Sequence, residues 1–306
     1  MEDLLFSVAI ITYNQEKYIS QTLDSILQQE HSFKYEIVIG DDCSTDETQE
    51  IIKKYAEKYP DIIKPIFNNP NLGIIKNYFN VINHCSGKYI MECAGDDFWL
   101  PGKVEKQIKF METHPDIGMC YGQAREWIEE KNSFGEKLFG SKKETIDSLL
   151  KGNNIPALTV CFRNNLIKAY IEEVSPLRKN WKMEDYPQWL WFSLRSKIFF
   201  LEDILGVYRN LNDSACHIKN INKQFLFNKN YYEIASYFAS LAKIDFHVVE
   251  DDEIYFYIYW KILKDQYSLD VYRKLTYHFK KIKNKSLSLY LRKIIAKYEK
   301  LLKYLC

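Results

Sequence analysis

Ile37-Val38-Ile39-Gly40-Asp41-Asp42-Cys43-Ser44-Thr45-Asp46-Glu47-Thr48 is a short apolar run that ends on a pair of aspartates and passes straight into a helical pattern. That pattern covers residues 46–59 and stops at Pro60. A β-rich run feeding a helix through a short polar loop is one strand–helix unit. The same unit lies on either side of it. Residues 6–13 form a β-rich run, and residues 18–29 carry Ile19, Leu23, Ile26 and Leu27 at helical spacing. Residues 62–67 predict a third strand, residues 74–84 a third helix and residues 88–93 a fourth strand. This alternation predicts a mostly parallel sheet with helices on both faces. In such sheets the ligand crevice lies beyond the carboxyl ends of the strands.

The rule picks out four loops, residues 12–16, 41–48, 68–76 and 94–101, and they contain Asp41, Asp42, Asp46, Asp96 and Asp97. Helix capping accounts for Ser44, Thr45 and Asp46. It does not account for two separate Asp-Asp pairs at strand ends, since buried unpaired carboxylates are costly.

Beyond residue 100 the pattern predicts a helix through residues 107–111 and strands over 117–121 and 157–162, with a polar loop at 131–144. A helix over 187–195, a strand over 197–201 and a turn follow, and from residue 218 the pattern is helical to the end. The chain has 306 residues, 46% hydrophobic and 27% charged, as an ordinary globular protein has. Net charge is +1, which does not advertise nucleic-acid binding. The seven cysteines are odd in number and never closer than eight apart, which fits reduced thiols better than disulfides or a metal cluster. No secretory pattern opens the sequence and no eighteen apolar residues run together. The expectation is a cytoplasmic protein, peripheral at most on the inner face of the cell membrane.

Five ordered elements resemble the family 2 glycosyltransferases. The opening one is Ser7-Val8-Ala9-Ile10-Ile11-Thr12-Tyr13-Asn14 with Gln21-Thr22-Leu23-Asp24-Ser25-Ile26, and the second is the stretch quoted at the start. The third is Asn71-Leu72-Gly73 with Lys76-Asn77. The fourth is Ala94-Gly95-Asp96-Asp97-Phe98-Trp99-Leu100-Pro101-Gly102-Lys103-Val104-Glu105-Lys106-Gln107, and the fifth is Glu184-Asp185. Their order and spacing are more specific than any one of them. The resemblance implies a GT-A fold: residues 1–217 as the catalytic domain, about 1–100 binding the nucleotide sugar and 101–217 shaping the acceptor side. Residues 218–306 would be a basic helical extension.

The resemblance also implies roles. Asp96 and Asp97 stand where the family's Asp-X-Asp acid holds Mn²⁺ or Mg²⁺ and the donor ribose, with Ala94 replacing the first acid. Hard carboxylate oxygens suit such a cation, and the cation suits a departing diphosphate. Asp41 and Asp42 match the positions that accept the imide N–H of a nucleobase, commonly uracil. Thr12, Tyr13 and Asn14 would line base and ribose. Asn71 and Gly73 belong to the donor loop, with Lys76 as a point charge near the phosphates. Asp185 is the expected general base, taking the acceptor proton opposite the leaving group, with Glu184 orienting the acceptor or the loop. A cap on the helix that holds Trp189 is the plainer reading of Asp185, and the two are compatible. Arg209 and His217, in a closing segment from Val207, would touch the diphosphate or the metal. Cys43 and Glu47 replace usual glycines. Membrane spans and the Gln-x-x-Arg-Trp motif of processive synthases are missing, so one transfer per encounter is expected.

The expected activity is inverting, metal-dependent, non-processive transfer, from a UDP-sugar to a lipid-linked or polysaccharide acceptor. A non-catalytic sugar-nucleotide-binding module and a nucleotidyltransferase are the alternatives. The latter would show a glycine-rich basic loop after its first strand, where residues 12–16 read Thr-Tyr-Asn-Gln-Glu. Residues 259–306 hold thirteen Lys/Arg against three Asp/Glu, hence +10, leaving −9 for the rest. An apolar stripe from Leu287 to Leu305 flanked by lysines suits an anionic membrane surface, a packing partner or a second subunit.

Overall fold

A computed structural model describes residues 4–211 and 221–244. The chain divides into two compact units, Met1–Ser214 and Ala215–Cys306. The first is built on one nine-stranded sheet, ordered β3-β2-β1-β4-β8-β6-β9-β5 with β7 on β6.

The first hundred residues follow the expected plan of alternating strands and helices. Strands β1 (Phe6–Thr12), β2 (Tyr35–Asp41), β3 (Ile63–Phe67) and β4 (Tyr89–Ala94) pair in parallel. Helices α1 (Ile19–Leu27), α2 (Thr48–Lys58) and α3 (Ile74–His84) connect them. Alternate residues point to opposite faces of a strand. Phe6, Val8 and Ile10 of β1 accordingly pack with Leu23, Ile26 and Ile52 of α1 and α2. Helix α4 (Lys103–Thr113) adds Val104, Ile108 and Met111 to the same cluster. On the other face Gly40 lies against Asn77 and Val81 of α3, close enough that Asn77 Nδ2 donates to the Gly40 carbonyl at 2.8 Å.

Beyond residue 97 the sheet is mixed. Strands β6 (Ile117–Ile128) and β9 (Lys197–Asn210) run parallel, while β5 (Phe98–Trp99), β7 (Ser133–Phe139) and β8 (Cys161–Arg163) pair antiparallel with their neighbours. Several expectations are corrected here. Residues 131–144 are not a plain loop but carry β7, a hairpin partner of β6. The strand expected over 197–201 runs on to Asn210 because β6 supplies a partner along its length. The strand expected over 157–162 is a single 3-10 turn, Ala157–Thr159, followed by β8. Helices α5 (Ile146–Leu150) and α6 (Asn164–Val174) were not foreseen. Helix α7 (Asp185–Arg195) starts two residues before the expected Pro187 and buries Trp189, Leu190 and Phe192 against aromatic rings of β8 and α6. The five described cysteines are free, as the sequence suggested.

In the second unit, α8 (Ile221–Leu241) buries Ile234, Ala235, Phe238 and Ala239, one face of a helix. His217 and the basic stripe at 287–305 lie outside the described residues. No described helix is long and apolar enough to cross a membrane.

The turn into β4 leaves no room for a side chain. A Cβ on Gly87 would sit 2.4 Å from the Phe6 carbonyl carbon and 2.5 Å from the Ser7 nitrogen, both backbone atoms. Gly87→Ala must therefore push β1 and β4 apart at their start, costing about 1–3 kcal/mol on the overpacking scale. Urea denaturation is the check, with an unchanged midpoint as the contrary result.

Candidate active site at the carboxyl ends of the strands

Register brings the candidate residues to one rim. Thr12 pairs with Asp41 across β1 and β2, and Ile11 pairs with Ala94 across β1 and β4. The loops beyond are stitched together. Asn14 adopts φ 52°, uncommon but tolerated for asparagine. Its Oδ1 accepts the Thr45 N–H at 2.8 Å and its own N–H donates to Ser44 Oγ at 2.9 Å. The Gln15 and Glu16 N–H groups donate to Thr48 Oγ1 and Asp46 Oδ2. Cys43 sits at φ 66°, the left-handed region that the family's glycine enters freely, so here the strain is kept and the loop shape with it. Glu47 has an ordinary φ of −74°. Asp46 caps α2 one position early, its Oδ1 accepting the Thr48 N–H at 3.0 Å.

Both members of the first Asp pair are buried and bonded within the loops. Asp41 accepts the Ser44 N–H, the Ser44 hydroxyl and the Gln49 amide. Asp42 accepts the Leu72 N–H at 2.7 Å, the Gly73 N–H at 2.8 Å and the Asn68 amide at 3.1 Å. Asn71 Nδ2 donates to the Asp42 carbonyl. The loop at residues 68–73 is thus folded around Asp42, and Gly73 opens α3 with φ 82° and ψ 157°, backbone that suits glycine. Exposed around this rim are Tyr13, Leu72, Ile74 and Lys76.

The second pair follows β4. Asp97 is 5% exposed and its Oδ1 accepts the backbone N–H of Arg209 at 2.8 Å. Burial, then the charge of Asp96, pushes its carboxyl well above the usual range, and burial raises Asp96 too. Arg209, expected at the diphosphate, spends its guanidinium on the protein. Nε donates to the Asp96 carbonyl at 2.7 Å, Nη1 to Glu129 and Nη2 to Gln21, with the plane over the Tyr18 ring. Two carboxylates short of positive charge fit a hard divalent cation in kind. Among the described residues no group of three or more His, Cys, Asp or Glu is gathered to hold one.

The third pair begins α7. Glu184 is its N-cap and Asp185 its first residue, and Glu184 makes no capping bond through its side chain. Asp185 Oδ2 accepts from Asn153 Nδ2 at 3.1 Å and Oδ1 accepts the Tyr186 N–H at 2.6 Å. Burial, then the charge of Asp185, brings the Glu184 carboxyl up to about 7, and burial raises Asp185 also. Sequence reasoning missed Asn153, Gln21, Glu129 and a buried acid, Glu92. A lone glutamate inside the apolar strand Tyr89–Ala94 was the available signal.

Replacing the Arg209 fork by a single ammonium tests how much of the rim depends on it. Arg209→Lys keeps the backbone bond to Asp97 but cannot serve Asp96, Glu129 and Gln21 together. We expect a loss of about 1 kcal/mol in denaturant titrations, the scale of a few hydrogen bonds to partners that are half-buried (Asp96 and Glu129) or exposed (Gln21). A change within a few tenths would mean that the fork adds nothing.

The geometry has counterparts in known proteins. The description Glycosyl transferase family 2 matches residues 7–171. An uncharacterized protein of Mycobacterium tuberculosis is 37% identical over 160 residues, 51% of this chain and 46% of its own. The UDP-Glc:alpha-D-GlcNAc-diphosphoundecaprenol beta-1,3-glucosyltransferase WfgD of Escherichia coli is 29% identical over 170 residues, 56% of this chain and 64% of its own. The chain spans about half the length of the curated relatives it matches first. Among solved structures, residues 1–349 of S. aureus TarS in complex with UDP-GlcNAc superpose with a TM-score of 0.63 at 19% identity, over 90% of this chain and 79% of that one. The mannosyltransferase PcManGT from Pyrobaculum calidifontis, in complex with GDP-Man and Mn²⁺, gives 0.55 at 13% identity, over 96% and 84%. These likenesses establish the GT-A type of α/β fold, and the match of more than half the sequence establishes the rest: the chain belongs to glycosyl transferase family 2.

Proposed function

We propose that this chain transfers a sugar from a nucleotide sugar, with uridine diphosphate as carrier, to a hydroxyl of a lipid-linked or polysaccharide acceptor, inverting the anomeric carbon. The observation that carries the proposal is the two pairs of acids, Asp96–Asp97 after β4 and Glu184–Asp185 at the start of α7, with Asp97 buried and the other three half-buried. Inverting transfer uses two such centres, one where charge leaves and one where a proton is taken.

On the acceptor side, Asp185 takes the hydroxyl proton as that oxygen bonds to the anomeric carbon. The bond from that carbon to the diphosphate breaks on the opposite face, and its electron pair leaves with the diphosphate. Burial raises Asp185, which makes it a stronger base once ionised, while Asn153 and Tyr186 fix its orientation. On the donor side, Asp96 and Asp97 would hold Mn²⁺ or Mg²⁺, which neutralises the leaving diphosphate. Exposed Tyr13 offers a ring to the base, with Asn14 fixing its loop. Thr12, Asn71, Gly73 and Lys76 shape the remaining donor edge. Asp41 and Asp42 each accept three bonds from the protein, which leaves one acceptor site on each carboxylate for an imide N–H. The names of the Escherichia coli and S. aureus matches, with UDP-Glc and UDP-GlcNAc, support the uridine carrier, and the diphosphoundecaprenol in the first supports a lipid-linked acceptor.

Asp185→Asn should lower kcat roughly a hundredfold or more, with donor affinity scarcely changed, because the base faces the acceptor. Loss of donor binding with the transfer step intact would put Asp185 on the donor side. Excess chelator should stop release of nucleoside diphosphate, and added Mn²⁺ should restore it; full turnover in chelator would remove the metal from the proposal. By calorimetry UDP should bind more tightly than ADP or GDP. Equal affinities, or a preference for GDP, would remove uridine.

A further inference from the structure

Beneath the Glu184–Asp185 turn lies a chain of buried side chains to which nothing above gives work. Glu92, on β4, is 6% exposed. Its Oε1 lies at 2.5 Å from Tyr78 Oη, and Tyr78 Oη lies at 3.0 Å from Gln188 Oε1. Gln188 Nε2 donates to the Glu184 carbonyl at 2.5 Å. That last contact fixes the amide, since a carbonyl only accepts: the NH₂ faces Glu184 and the oxygen faces Tyr78. Two contacts then meet at one phenol that has a single hydrogen. If Glu92 were a carboxylate, both neighbours would be acceptors and one contact would lack its proton. A neutral Glu92 supplies it, donating to Tyr78 while Tyr78 donates to Gln188.

We propose that Glu92 is a positioning residue for transfer: as a carboxylic acid it sets Tyr78 and Gln188, and through the Glu184 carbonyl it holds the Glu184–Asp185 turn toward the acceptor. This rests on Asp185 as the base. The groups facing Glu92 agree with a neutral acid. Tyr78 comes from α3, Glu184 and Asp185 from α7, and Lys103 from α4. The Lys103 ammonium is committed to Gln107 Oε1 at 2.6 Å, the Val160 carbonyl and the Trp99 ring. Trp99 of β5 donates from Nε1 to the Glu92 backbone carbonyl, not to its carboxyl. Burial brings the Glu92 carboxyl up to about 8, the Tyr78 bond and Lys103 opposing and the Glu184 and Asp185 charges assisting. Ionised, Glu92 would turn the phenol hydrogen toward itself, release Gln188 and set a third negative charge against the pair.

The test compares Glu92→Gln, whose amide donates to Tyr78 at every pH, with Glu92→Leu, which donates at none. Glu92→Leu should lower kcat about tenfold while donor KM moves less than about twofold, the mark of misplaced machinery. Glu92→Gln should recover most of that loss. In wild type kcat should fall as pH rises through about 8, and in Glu92→Gln that fall should vanish. A readout free of catalysis follows from linkage. The folded acid holds its proton above the unfolded value of 4.5, so wild type loses stability as pH climbs from there to about 8. The Tm of Glu92→Gln relative to wild type should therefore rise across that window and level off above it. A pH-independent Tm difference, or the same alkaline fall in both proteins, would overturn the proposal. If Asp185→Asn keeps its kcat while that Tm difference still grows with pH, the base assignment fails and the neutral Glu92 stands.

Discussion

Arg209 joins parts of the fold that are far apart in sequence. Its backbone N–H serves Asp97, and its guanidinium serves the Asp96 carbonyl, Glu129 at the end of β6 and Gln21 on α1. A buried carboxylate pair after a strand is costly, and the sheet cannot hold it open without a donor on the far side. β9 reaches that position only because it runs fourteen residues alongside β6. The long parallel β6–β9 pair is thus the frame that presents Arg209 to the loop after β4. The cation that the sequence pattern offered to a ligand is used inside the protein, where it stiffens the loops around it.

Legibility of the sequence follows burial. Strands β1, β2 and β4 lie inside a parallel sheet covered on both faces, so Val8–Ile10, Ile37–Ile39 and Tyr89–Met91 read as unbroken apolar runs. Their helices have one apolar stripe each, and α3 was placed to the residue. The part of the sheet beyond β4 lacks that signal. β7 is exposed along most of its length, with Phe134 and Leu138 open to solvent, and a strand with no buried face and a glycine and charges among its rings reads as a loop. The later part of β9 carries Glu202 and Asp203, and Asp203 pairs with Lys106 across the surface. Only the partner strand reveals that these residues are extended.

The site divides in the same way. Which acids stand at strand ends and at a helix start was legible, because Asp-Asp and Glu-Asp there are poor choices for packing. Where their oxygens point was not. Asp42 holds the Leu72 and Gly73 N–H groups thirty residues away, and Asp41 holds Gln49. Cys43 in the left-handed region shows that a loop shape can outlast its glycine when the neighbouring bonds to Asp41 and Asn14 over-determine it. Glu92 and Lys103 escaped notice for the opposite reason. One charged residue in an apolar strand and one in an ordinary amphipathic helix each pass for surface groups until the fold encloses them.

Enclosure also explains why the two carboxylate pairs differ in their support. Asp97 accepts the backbone N–H of Arg209 and Asp96 a bond from Gln15, and burial keeps both carboxyls raised against the nearby Arg209 charge. Asp185 has an amide donor on one oxygen and its own helix on the other. Its N-cap neighbour, Glu184, is held by its backbone carbonyl rather than its carboxyl. Holding the turn through the main chain leaves the Glu184 side chain uncommitted to a cap while the turn itself is fixed. The two carboxylate pairs are therefore supported by different means on one sheet: a main-chain N–H and a neighbouring guanidinium after β4, and neutral hydrogen bonds beneath the start of α7.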